Sequence, residues 1–181
     1  MVRGRPNPRH LGLPARLRKA RKNAGLTRRA LAQEAGGGNA IALQIETRKQ
    51  IPTVGTIAKL STALGVAAGW LAYGLGEQDT DSPSATSDGM GARLTTVRVE
   101  QGTTKAALAR LVSLSPSALA NIENGGQTGI DVLEALAKAL AISPAWLAFA
   151  EGLRELPKRR RAAARAVVTG PNPRAVGRGP T

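Results

Sequence analysis

Cysteine is absent from the 181 residues, which excludes a disulfide scaffold, a thiolate zinc or iron–sulfur site and a cysteine nucleophile. The chain has one histidine, His10. Around a single imidazole neither a Ser-His-Asp triad nor a two-histidine metal site can be assembled, and in its Pro- and Arg-rich segment His10 is expected to be solvated. The aromatic residues are only Trp70, Tyr73, Trp146 and Phe149, and sheets lean on aromatic and β-branched side chains. No apolar stretch approaches the roughly 18 residues of a membrane span, and the basic opening Met1-Val2-Arg3-Gly4-Arg5-Pro6 leads into no apolar signal core. A cytoplasmic location without membrane contact is expected. Neither an enzyme, a metal nor a cofactor is expected.

What the chain has in quantity is alanine, 32 copies, which favours helices, and positive charge, 26 Lys+Arg against 12 Asp+Glu for a net +14. A sequence pI of about 11.6 points to a polyanionic partner, of which nucleic acid is the usual one. An all-α class follows.

The sequence is a tandem duplication. Ala15-Arg16-Leu17 recurs as Ala92-Arg93-Leu94, and Trp70-Leu71-Ala72-Tyr73 as Trp146-Leu147-Ala148-Phe149. The offset is 77 residues as far as Ile45-Glu46 and Ile122-Glu123, and 76 from Val54 and Ile130 onward, so residues 15–76 align with 92–152. Five segments result: a basic N-terminal arm at 1–14, repeat 1 at 15–76, an acidic Ser/Asp/Gly linker at 77–91, repeat 2 at 92–152 and a basic tail at 153–181. Their net charges are +3, +8, −4, 0 and +7, so the copies share a pattern but not an electrostatic character.

Each repeat reads as five short helices. In repeat 1, Leu13, Leu17, Ala20 and Ala24 share a face, with Gly25 closing the first helix. Thr27 caps a second over residues 28–35, and Gly36-Gly37-Gly38 breaks the chain. A third covers about 39–47. Pro52-Thr53 opens a fourth through Val54, Ile57, Leu60 and Leu64, stopped by Gly65, and residues 66–73 supply the last. Repeat 2 follows the same order, with Ser115-Pro116 as a clear start to its third helix.

Two short helices joined by a tight turn form a helix-turn-helix. Gly25-Leu26-Thr27-Arg28-Arg29-Ala30-Leu31-Ala32, Gly36, Ile45-Glu46 and Pro52-Thr53 resemble the phage-repressor and Cro-like helix-turn-helix family, the XRE family. So do Gly102-Thr103-Thr104-Lys105-Ala106-Ala107-Leu108-Ala109 and the run from Ser115 to Gly125. The resemblance implies two five-helix, lambda-repressor-like domains joined by a flexible linker, with basic disordered arms. It also implies a structural pair between a first-helix arginine and the glutamate closing helix three, here Arg21 with Glu46 and Arg98 with Glu123.

The resemblance further implies double-stranded DNA as partner. The residue after the second-helix cap would meet a phosphate, here Arg28 and Lys105. Base edges would be met from helix three, by Asn39, Ala40 and Gln44 in repeat 1 and by Pro116, Ser117 and Asn121 in repeat 2. Amides suit adenine, so Gln44, Asn39 and Asn121 are the natural readers, whereas Ala40 offers only a thymine methyl contact. Arg48 and Lys49 lie where phosphates would run, with Arg18, Lys19 and Lys22 extending the basic face; a solvated helix surface is the plainer reading of any one of them. Gly37 and Ala42 stand where the family has larger apolar residues, so repeat 1 is expected to be loosely packed. Repeat 2 has Leu114 and Leu119 there but Ser113 at the turn glycine.

The function this implies is a sequence-specific, DNA-binding transcriptional regulator of bacterial or phage type, nucleoid-associated, with repeat 1 the main contact. A linker of about 15 residues has a root-mean-square span of roughly 20 Å and reaches at most about 50 Å, against about 34 Å between half-sites one turn apart. Either a homodimer or a single-chain pseudo-dimer is therefore open. A competing reading is a protein-interaction module, antitoxin-like or adaptor, which predicts an exposed apolar patch around Ala118, Leu119 and Ile142. Another is an unspecific nucleic-acid binder acting through its arms, where Arg3-Gly4-Arg5-Pro6 resembles an AT-hook core or is a generic basic tail. Asp131 and Glu134, at i and i+3, are read as charge complementing a helix dipole rather than as a catalytic pair.

Overall fold

The structure, a computed structural model, describes residues 7–36, 38, 40–79 and 89–156. The AT-hook-like tetrapeptide, Gly37, Asn39 and the basic run from Lys158 lie outside them. A 3-10 turn, Arg9–Gly12, leads into α1 Leu13–Asn23, α2 Arg28–Glu34, α3 Ile41–Arg48, α4 Val54–Leu64 and α5 Ala68–Tyr73. Repeat 2 supplies α6 Met90–Glu100, α7 Lys105–Leu111, α8 Pro116–Glu123, α9 Ile130–Ala139 and α10 Pro144–Phe149. No strand occurs among the described residues, and no helix there is long and apolar enough to cross a membrane.

The expected punctuation is where the polar side chains put it. Thr27, Thr53, Thr104 and Ser115 each accept the backbone N–H three residues on, satisfying a donor that the first helical turn leaves without a partner. Gly25 lies at φ +68° after α1, where the Leu26 N–H bonds back to the Arg21 carbonyl. Repeat 2 places Ser113, Ala141 and Ala150 in the same left-handed region that Gly36, Gly65 and Gly74 occupy in repeat 1.

Some boundaries move. Helix three of repeat 1 runs from Ile41 rather than from about 39, because the glycine run supplies no capping side chain and Ala40 makes no cap bond. Helix α6 begins at Met90, as α1 begins at the equivalent Leu13: Met90 and Gly91 are buried, and a Cβ on Gly91 would lie 2.2 Å from the Glu123 carbonyl, so only glycine lets α6 approach the end of α8. At the other end of the linker, the Ala67 N–H donates to the Gln78 carbonyl, fastening residue 78 to repeat 1.

The repeats are packed together. One hydrophobic core runs through both, with α5 against α10 as the principal contact. Thr53 and Gly129 form an antiparallel bridge in which Val54 N–H donates to the Thr128 carbonyl at 3.0 Å and Ile130 N–H to the Pro52 carbonyl at 3.2 Å. Under the 76-residue offset this bridge maps onto itself, as does the contact between Gly69 and Ala145. Both lie on a pseudo-two-fold axis, the isologous geometry of a dimer built within one chain.

Further bonds cross this contact. Glu134 on α9 accepts the backbone N–H groups of Arg9 at 2.6 Å and His10 at 3.1 Å and pairs with His10 Nδ1 at 2.7 Å. Two expectations are thereby corrected: His10 is mostly buried rather than solvated, and Glu134 serves the preceding arm rather than its own helix dipole. Asp131 does sit in the first turn of α9. Glu151 accepts the N–H groups of Ala68 at 3.0 Å and Gly69 at 2.6 Å. The Tyr73 hydroxyl donates to the Ile130 carbonyl at 3.1 Å; burial, helped by the charges of Glu134 and Asp131, lifts its pKa well above the ordinary value and keeps the proton in place.

Candidate nucleic-acid interface

The inner face of α3 is set by Ala42, Ile45 and Glu46, all buried, so the period of 3.6 turns Leu43, Gln44, Thr47 and Arg48 outward. In α8 the buried set is Leu119, Ile122 and Glu123, and Ser117 and Asn121 are exposed. The outer face of α3 thus carries one apolar, one amide, one hydroxyl and one cationic side chain, and that of α8 a hydroxyl and an amide.

Behind α3 lies an ionic cluster. Glu46 is buried, and Arg21 binds its carboxylate with two hydrogen bonds, Nε to Oε1 at 2.6 Å and a second nitrogen to Oε2 at 3.1 Å. Arg28 adds Nε to Oε2 at 2.9 Å, and Arg18 approaches the same oxygen at 3.7 Å. Burial opposes the charge on Glu46, yet the hydrogen bonds from Arg21 and Arg28 outweigh it and hold the carboxyl below its ordinary pKa. In repeat 2, Glu123 carries Arg98 at 2.6 Å and Lys105 at 3.2 Å, with the same balance and direction. The position of Arg18 is held there by Thr95.

The paired Arg and Glu of each repeat are thus brought together. Arg28 and Lys105 are engaged on the same carboxylates; with side chains 40% and 48% exposed, each is anchored at one end and open to solvent at the other. The cluster leaves two positive charges in excess beside α3 and one beside α8. Arg48 and Lys49 are exposed at the end of α3, Lys49 as its left-handed cap at φ +53°. Ala40 is exposed at the start of α3, Gln44 is half-buried on its outer face, and Asn39 lies outside the described residues. Ser117 shares a hydrogen bond of 3.0 Å with Ser115. The Asn121 amide lies over the loop that follows α8, 2.2 Å from where a Cβ on Gly126 would stand.

Sequence reasoning passed over three side chains. Leu43 is a large apolar side chain exposed on the outer face of α3, where it suits a thymine methyl group; its signal was the placement of the buried residues on either side of it. Arg16 and Arg93 each grip the carbonyl end of the last helix, Arg16 on Leu71 and Ala72, and Arg93 on Leu147 and Ala148. The repetition of Ala-Arg-Leu marked them. Ala42 is fully buried with Leu31 and Ile45 in the core of repeat 1. Among the described residues no group of three or more His, Asp or Glu could hold a metal ion.

Two short-helix pairs, each presenting an exposed helix backed by a buried Arg–Glu pair, define a tandem helix-turn-helix protein. The chain belongs to the helix-turn-helix family, whose model matches it twice, at residues 17–71 and 94–147, more than half of its length. It is accordingly a DNA-binding, regulator-type protein of the XRE kind. No curated protein and no solved structure matches the chain.

Proposed function

We propose that the chain is a sequence-specific transcriptional regulator that binds DNA as a single-chain pseudo-dimer, with repeat 1 as the main contact. The observation that carries this is the charge around the second and third helices of repeat 1: Arg18, Arg21 and Arg28 converge on Glu46, and Arg48 and Lys49 extend from α3, in a repeat of net charge +8 beside one of net charge 0. Phosphate neutralisation dominates affinity, so the charged repeat holds the duplex and the neutral one adds a second, weaker half-site. Gln44, with Asn39 and Ala40, reads bases in repeat 1, and Ser117 and Asn121 do so in repeat 2; Arg28, Arg48, Lys49 and Lys105 face phosphates. Such a protein resides on the nucleoid.

The adaptor reading predicts an exposed apolar patch around Ala118, Leu119 and Ile142; Leu119 and Ile142 are in the core and Ala118 is half-buried, which supports the DNA reading over it. A second competitor is unspecific binding through the arms. Selection from a random duplex pool at fixed, physiological salt decides between them. The expected result is a motif of two unlike half-sites, of which one is relaxed by Gln44→Ala at a cost of about 1–3 kcal/mol against the preferred base. Binding with no enriched sequence overturns the proposal.

A further inference from the structure

The faces that meet across the pseudo-two-fold axis are not copies of each other. Glu134 corresponds to Ala58 in repeat 1, Glu151 to Leu75, Phe149 to Tyr73, Ala145 to Gly69 and Pro144 to Ala68. Each difference falls on a residue that forms or frames the contact.

Two copies of the repeat 1 face would lack both carboxylates. The N–H groups of Arg9 and His10 would meet Ala58 instead of Glu134, and those of Ala68 and Gly69 would meet Leu75 instead of Glu151. The Ala68 and Gly69 N–H groups lie in the first turn of α5, where no intrahelical acceptor exists, so their loss is uncompensated. Two copies of the repeat 2 face fail differently. A methyl group at position 69 would stand 2.6 Å from the Ala145 methyl, closer than carbon atoms pack, so alanine on both sides of the axis is excluded. Pro144 has no N–H to offer Glu151, which would keep only the donor equivalent to Gly69, the Ala145 N–H, where repeat 1 offers two. Phe149 has no hydroxyl to replace the bond from Tyr73 to the Ile130 carbonyl.

We infer that this contact is a pseudo-symmetric surface with unlike halves: the α5 face of repeat 1 accepts the α10 and Glu151 face of repeat 2 and rejects a second copy of itself, so that the chain pairs its own halves and does not dimerise through them. Specificity here comes from what the wrong pairings lose as much as from what the right one gains. Resting on the reading of both repeats as DNA-facing, one chain then occupies one operator, with its two half-sites in a fixed order.

The test is made on the full chain and needs no DNA, so it stands or falls apart from the selection experiment. The amides of Val54 and Ile130 report docking, since their acceptors, the carbonyls of Thr128 and Pro52, lie in the other repeat. Gly69→Ala, and separately Glu134→Ala/Glu151→Leu, which gives repeat 2 the residues of repeat 1, are each expected to speed their hydrogen exchange by about tenfold or more. Adding Ala145→Gly to Gly69→Ala is expected to recover part of the protection, because the methyl–methyl clash is removed while the added Cβ still stands 2.8 Å from Glu151 Oε2. Sedimentation of the unmodified chain at micromolar concentration is expected to give a single copy. A concentration-dependent dimer that Gly69→Ala abolishes, unchanged exchange in both variants, or no recovery with Ala145→Gly would each overturn the inference.

Discussion

A carboxylate with no exposed surface must be neutralised where it lies, and Glu46 is met there by Arg21 in a two-bond pair with Arg28 at its outer oxygen. A pair of this kind fixes geometry, here the tilt of α3 against α1, more than it adds stability, but removing one partner strands the other. Glu46→Ala is expected to cost about 3–5 kcal/mol in urea unfolding, and Glu123→Ala a similar amount. Both carboxyls have folded-state pKa values below those of the unfolded chain, so their contribution is fully present above the ordinary glutamate value of 4.5. It is lost as pH falls through the lowered values. Unfolding followed between neutral pH and acid should show stability declining below that value, with the slope reduced in either alanine variant.

At the scale of the element, the helices of repeat 2 turn out of their last residues through side chains that fit poorly there. Ser113, Ala141 and Ala150 have φ of 58°, 55° and 58°, where repeat 1 has glycine. The left-handed region costs a non-glycine residue about 1–2 kcal/mol, and glycine gives back part of this in chain entropy. Ser113→Gly, Ala141→Gly and Ala150→Gly are each expected to raise the stability of the chain by about 0.5–1 kcal/mol, read as a higher denaturant midpoint at unchanged slope. Helix starts were legible in the sequence because a Thr or Ser three residues before a free N–H has one obvious use, as at Thr27, Thr53 and Ser115. The start of α3 was not: a run of three glycines announces a break but provides no side chain to say where the helix resumes. Nor could spacing show that Arg28 and Lys105 would lean back onto Glu46 and Glu123, since that depends on how α2 crosses α3.

For the whole molecule, the duplication made the architecture of each half readable, while the way the halves meet was hidden in residues that differ between them. His10 and Glu134 are 124 positions apart, and nothing in either neighbourhood points to the other. The net charge was legible, and its uneven division carries a quantitative consequence. If repeat 1 supplies most phosphate contacts, Arg48→Gln/Lys49→Gln is expected to reduce the slope of log affinity against log salt by about 2 and to leave the selected sequence unchanged. An equal affinity loss at all salt concentrations would place those two residues on bases instead.

The bridge between Thr53 and Gly129 and the packing of α5 on α10 join two halves that are already tethered. A contact made within one chain is not weakened by dilution, because each half sees the other at an effective concentration set by the linker and not by the number of molecules present. Regulators assembled from separate subunits fall apart at low copy number, so their occupancy drops with the square of their abundance. For a chain that carries both halves, occupancy falls only in proportion, and the response to a changing supply of the protein is graded from the first molecule upward.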